Sequence, residues 1–237
     1  MKKLSFAHDD FPDLGLFRHG LAVREIEWIV PEDLAVVDLI ELYLEIDSAF
    51  SIDRGVVIQF IGASAGPGAT EVALDMAWTA VSILGKKVLV LNCTQSQWTR
   101  ALDHKADLQG DAAIHPISVH DDLMKVAGHE MYMADLKGWS GQSDTLAKTS
   151  DIKGPLEESC RYFDMVVMVA PPADSEPLGT ILSGQVDGNI LVIEAEQTRR
   201  SAAIRLREIL SRCHRPMLGA VLHDRQNHIP HWMARFL

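Results

Sequence analysis

The residues with the most evident chemical potential are Gly62-Ala63-Ser64-Ala65-Gly66-Pro67-Gly68-Ala69-Thr70-Glu71. They join a β-branched apolar run, Val56 to Ile61, to an apolar helical pattern. Strand, glycine-rich turn and helix in that order make a phosphate loop. Glycines free backbone N–H groups to wrap the oxygens, a lysine neutralises the terminal phosphates, and a Ser or Thr hydroxyl holds magnesium. Gly66 and Gly68 keep the backbone freedom and Thr70 keeps the hydroxyl, but Ala69 stands where the lysine should be. Glu71 falls in the first helical turn, where the dipole favours a carboxylate by about 0.3–1 kcal/mol and where that carboxylate would repel a polyphosphate. Glu71 is therefore expected to substitute in part for the absent anion.

The elements around the loop follow from the apolar spacing. Val56 to Ile61 is apolar on both faces, apart from Gln59, and so reads as a strand covered on both sides, as in a parallel sheet. The helix after the loop spans about 70–84, with Val72, Ala73, Met76, Ala77, Ala80, Val81 and Leu84 on one face and Gly85 as its C-terminal cap. Val88 to Leu91 is a second buried strand, which closes a βαβ unit that should cross over right-handed. Pro31-Glu32-Asp33 opens an earlier helix that runs to about Ala49, its stripe including Leu34, Val37, Ile40 and Leu44, and it is expected to be heavily buried. Further on, the pattern predicts a helix near 154–162, the strand Met165 to Val169, a short helix near 177–184, the strand Gly188 to Glu194, a helix over 198–212 and the strand Met217 to Leu222. Between 95 and 155 the pattern is weak. It gives helical pieces near 98–105 and 120–127 and strands near 116–119 and 130–135. Residues 1–29 lack a period and read as an extended arm, and 30–237 as a single α/β domain with a mostly parallel sheet flanked by helices on both faces.

Composition excludes several classes. The chain has 237 residues, 47% of them hydrophobic and 23% charged, enough for one large core. A net charge of −11 disfavours binding to nucleic acid or an anionic bilayer, since both need clustered cations. Three dispersed cysteines with no CxxC spacing fit a reducing, cytoplasmic setting. Acidic residues interrupt the N-terminus before an apolar run forms, so no signal peptide is expected.

The loop, the Leu-Gly-Lys-Lys-Val-Leu-Val-Leu run at 84–91, Phe163-Asp164-Met165-Val166-Val167-Met168 with Pro171-Pro172, and Gly219-Ala220-Val221-Leu222 together resemble the MinD/ParA-type P-loop proteins. They are more closely similar to the cytoplasmic kinase domains of the bacterial tyrosine kinases of capsule and exopolysaccharide synthesis, the CpsD/CapB group, as is Asp187 to Leu210 with Thr198-Arg199-Arg200. The likeness covers about 55–94 and 160–223. The departures fall at the chemistry that the resemblance implies. Ala69 replaces the loop lysine, and Asn92 and Thr94 replace the acids at the end of the second strand. Val169 replaces the magnesium-associated aspartate, and His223 an asparagine that contacts adenine. The tyrosine-rich tail of the family has no counterpart among three scattered tyrosines. The helix over 31–49 lies where the family's association motif, rich in Glu and Arg, would lie, and it holds no arginine, which disfavours ring assembly and leaves a monomer or homodimer.

Phosphoryl transfer depends almost wholly on positioning and on charge neutralisation. A hydrogen bond to a charged group is worth about 1.5–3 kcal/mol, and loss of several such groups weakens catalysis more than binding. The resemblance therefore implies a catalytically degenerate, pseudokinase-like auxiliary or regulatory protein of exopolysaccharide synthesis and export rather than an enzyme. It would be cytoplasmic, held at the inner membrane through a partner such as a polysaccharide co-polymerase (chain-length protein) or another synthesis component, with no nucleic acid. No cofactor is expected beyond weak Mg-ATP or Mg-ADP at a degenerate site of Gly66, Gly68, Ala69, Thr70, Asn92 and Val169. The alternative is an active ATP-binding autokinase or ATPase of the same pathway with unusual ligands.

Other candidates carry less. The histidines, His115, His120, His223, His228 and His231 among them, match no metal spacing. Asp164 and Asp174 are a candidate metal pair flanking the third strand. Cys93, after a buried strand, reads as a small core residue. The six arginines between Arg199 and Arg215, opposed only by Glu208, form either a solvated face or a dock for an acidic partner.

Overall fold

The computed structural model describes residues 24–26, 36–50, 54–94, 124–126, 128–136, 152–213 and 215–223. Its elements, in chain order, are β1 (Arg24–Ile26), α1 (Val36–Ala49), β2 (Val56–Gly62), α2 (Gly68–Ser82), β3 (Val88–Asn92), β4 (Met124–Val126), β5 (Met131–Asp135), α3 (Lys153–Ser159), β6 (Met165–Val169), α4 (Leu178–Leu182), β7 (Gly188–Glu194), α5 (Arg200–Arg212) and β8 (Met217–His223). The continuous apolar runs become the inner strands of one sheet, which among the described residues has eight strands, ordered β1-β4-β5-β3-β6-β2-β7-β8. Neighbours from β5 to β8 are all parallel, β4 runs antiparallel to β5, and β1 is parallel to β4. The α/β, P-loop-like fold class expected from the sequence is the one observed.

Alternation along each strand divides the core between the two faces of the sheet. Ile58, Phe60, Val88, Val90, Met165 and Val167 face α1 and α2. Val57, Leu89, Leu91, Val166 and Met168 face α3, packing with Leu156 and Phe163. Ile61 and Leu191 meet Leu206 and Leu210 of α5. The α2 helix is buried from Gly68 to Val81 apart from Glu71, which explains why it is apolar nearly all round.

Two expectations need correction, and a third gains detail. Within the stretch 120–127, the described residues Met124–Val126 form the strand β4 rather than a helix, because pairing to β1 and β5 outweighs local propensity. The arm contains a strand, Arg24–Ile26, at the sheet edge. Among the described side chains of the α1 helix, Leu39, Tyr43 and Ile46 form the buried stripe, and Leu44 is 55% exposed. The predicted pieces at 98–105 and 116–119, most of the arm, and His115, His120, His228 and His231 lie outside the described residues.

Candidate nucleotide site

β2 ends at Gly62, the chain turns through residues 63–67, and α2 begins at Gly68 beneath a turn in which the Glu71 N–H donates to Pro67 O at 2.9 Å. Pro67 gives this helix no side-chain cap, so its first amides need acceptors from elsewhere. The Gly68 N–H finds one: it donates to Glu194 Oε1 at 3.0 Å. Glu194 is the last residue of β7, the strand beside β2, and is 5% exposed. Its carboxylate fills space that a side chain would take. A Cβ on Gly66 would lie 2.1 Å from Oε1, and one on Gly68 2.7 Å from Cγ. Sequence reasoning passed over Glu194. Its one cue is that it ends a strand at the carboxyl edge of the sheet, where α/β folds place ligands.

Glu71, the anion expected there, is engaged elsewhere, with its Oε2 2.8 Å from His223 Nε2. Ala69 is buried, its Cβ 3.7 Å from where a Cβ on Gly62 would lie. Thr70 Oγ1 is buried with no hydrogen-bond partner among the described residues. Gly66, Gly68, Ala69 and Thr70 thus share the loop. Asn92 and Val169 are register partners on β3 and β6 at the same end of the sheet. The Asn92 side chain is committed locally: Nδ2 donates to Asp135 Oδ1 at 2.8 Å, and Oδ1 accepts from the Thr94 N–H at 2.9 Å and Thr94 Oγ1 at 2.7 Å. To an incoming anion this end of the sheet offers the buried methyl of Ala69, the neutral side chains of Asn92 and Val169, and a helix start whose first amide is already taken by a carboxylate.

Asp164 and Asp174 do not converge. Asp164 precedes β6 and accepts from the Lys87 N–H at 2.7 Å, whereas Asp174 lies beyond the other end of that strand. No group of three His, Cys, Asp or Glu among the described residues could hold a metal. Cys93 is buried, and burial pushes its thiol pKa far up, so it behaves as a core residue. On α5 only Leu206 and Leu210 are buried. Arg199, Arg200, Arg205, Arg207, Arg212 and Arg215 form no ion pair among the described residues. No described helix is long and apolar enough to cross a membrane.

No protein-family model matches the chain. The tyrosine-protein kinase YwqD of Bacillus subtilis is 32% identical over 69 residues, which are 29% of this chain and 29% of that protein. The fold is shared with the chimerical protein CapA2B2, at TM-score 0.62 and 13% identity over 88% of this chain and 96% of that one. It is shared with the kinase domain of the Escherichia coli tyrosine kinase ETK, at TM-score 0.60 and 15% identity over 91% and 96%. The VpsO kinase domain follows at TM-score 0.54 and 17% identity over 81% and 97%. The chain carries the fold of bacterial tyrosine kinase domains and a sequence likeness to one such kinase over part of its length, so the resemblance read from its motifs is borne out by its relatives.

Proposed function

We propose that this protein is a catalytically degenerate relative of the bacterial tyrosine kinases that acts in exopolysaccharide synthesis and export through protein contacts. The observation that carries this reading is the meeting of Glu194 with Gly66 and Gly68 in a loop whose lysine position is Ala69. A triphosphate reaching the helix start would meet negative charge where transfer needs positive charge, and the transition state would lose most. The partner is an inner-membrane polysaccharide co-polymerase or another synthesis component. The α5 region suits an acidic segment of it, since six arginines on and beside α5 that form no ion pair among the described residues stand on a chain of net charge −11. A short acidic peptide can meet this face without bringing a long polyanion against the acidic remainder of the surface.

One observation favours the rival reading, an ATP-binding autokinase or ATPase: Thr70 Oγ1 is buried with no hydrogen-bond partner among the described residues, as a hydroxyl kept for a ligand would be. Thermal unfolding with Mg-ATP separates the two. A ligand at a hundredfold its dissociation constant adds about 2.7 kcal/mol, roughly 5–11 °C in a chain of this size. At millimolar Mg-ATP the degenerate reading predicts a shift below about 1 °C, where mass action adds little. A rise of several degrees would favour the rival.

A further inference from the structure

We propose that Glu194 is the resident anion of the loop: the chain fills its own phosphate cradle with a tethered carboxylate, and an external phosphate group enters only by displacing it. This rests on reading residues 62–70 as a phosphate-type loop, and it assigns to that loop an internal occupant.

Three features support it. The first is shape. Gly66 and Gly68 both lack a Cβ where the carboxylate lies, with would-be contacts of 2.1 and 2.4 Å from Gly66 to the two oxygens. Any side chain at either position would collide with the carboxylate. The second is charge. The donor is the first amide of a 15-residue helix, whose dipole favours an anion, and the bond is 3.0 Å at a buried position.

The third is tethering. The Glu194 N–H donates to Thr198 Oγ1 at 3.0 Å, and the Thr198 N–H returns to Glu194 O at 2.9 Å. Thr198 Oγ1 also lies 3.0 Å from Ser64 Oγ, within the loop itself. The Ala195 N–H donates to His223 O at 2.8 Å. Between them the turn passes through Glu196 at φ 64°, a left-handed conformation that a non-glycine residue holds only when its surroundings fix it. The strand end, the turn and the loop are therefore one hydrogen-bonded unit, and the carboxylate reaches Gly68 at little further entropic cost. Glu71 does not compete for the place, because it is engaged with His223.

The test is calorimetric titration of the purified chain with inorganic pyrophosphate, comparing wild type with Glu194→Ala, Glu194→Gln and Glu71→Gln. Glu194→Gln and Glu71→Gln each remove one negative charge near the helix start, but only the first changes the group seated in the loop. Both Glu194 variants are expected to bind pyrophosphate at least about tenfold more tightly than wild type, the scale of one charge-assisted hydrogen bond. Glu71→Gln should gain much less. Equal affinity in wild type and the Glu194 variants overturns the proposal, as does an equal gain in Glu71→Gln, which would mean diffuse repulsion rather than occupancy. Glu194→Gln has nearly the shape of the native residue and keeps the comparison valid if the alanine variant does not fold. Failure here is distinct from failure of the functional reading, which would appear as ATP turnover by the wild type.

Discussion

Gly55→Ala is expected to lower the melting temperature by roughly 6–12 °C, reflecting a loss of about 3 kcal/mol or more. Gly55 precedes β2, the strand that carries the loop at its far end. Its N–H donates to Cys160 O at 2.9 Å, and the next amide, Val56 N–H, donates to Asp164 O at 3.1 Å. A Cβ at position 55 would sit 1.9 Å from the backbone oxygen of Phe163 and 3.0 Å from its carbonyl carbon. No rotamer relieves a clash with backbone. Nor can residue 163 retreat easily, since its ring is buried edge-on to Tyr132 at 5.4 Å between centroids. The added methyl must push apart the start of β2 and the turn into β6. Calorimetric melting checks this, and a change under about 2 °C, less than 1 kcal/mol in a chain of this size, would contradict the close approach.

Asp187→Ala is the second large effect, expected at roughly 2–3 kcal/mol. The Asp187 carboxylate receives both guanidinium nitrogens of Arg54, at 3.0 and 2.7 Å, and also the Val57 N–H at 3.0 Å. The Asp187 N–H in turn donates to Val57 O at 2.8 Å, so this residue clamps the start of β2 beside β7. The hydrogen bond to Asp187 is the first cause that raises the Arg54 pKa above its usual value. Truncation leaves the Val57 N–H without its acceptor and the Arg54 guanidinium with only its bond to Gly55 O, at 2.9 Å. The loss stays below the 3–5 kcal/mol of a fully buried pair because the Arg54 side chain is 39% exposed and water re-solvates it. Urea unfolding of the variant gives the figure directly. A loss below about 0.5 kcal/mol, the ordinary range of surface substitutions, would mean that the clamp does not hold β2.

Both anchors lie at the start of the strand that ends in the loop. The inner strands β2, β3, β6 and β7 were legible because a strand covered on both faces has to be apolar along its length, and five to seven such residues in a row have few other readings. The strand β4 was not, because Met-Lys-Val in an acidic stretch has no signature of its own and becomes a strand only through its neighbours. The arm hid β1 for the same reason. At the site, Ala69, Asn92 and Val169 could be read by position in a motif, since each takes the place of a known kind of group. Glu194 could not, because a strand-end acid ordinarily reads as a solvated residue. Only the sheet order, with β7 next to β2, brings it against the loop. Glu71 was the better guess from linear spacing, and pairing with His223 across the fold drew it away.

On the proposed reading, this scaffold keeps the shape of a phosphate loop without the charges that move phosphate. The most direct measurement is incubation of the purified chain with Mg-ATP, read out as ADP released and as phosphotyrosine on the chain by mass spectrometry. The account predicts no ADP above the protein-free control and no phosphotyrosine, including on Tyr43, Tyr132 and Tyr162. Steady ADP release or phosphotyrosine that builds up with time, from the wild-type chain with Glu194 and Ala69 in place, would contradict it.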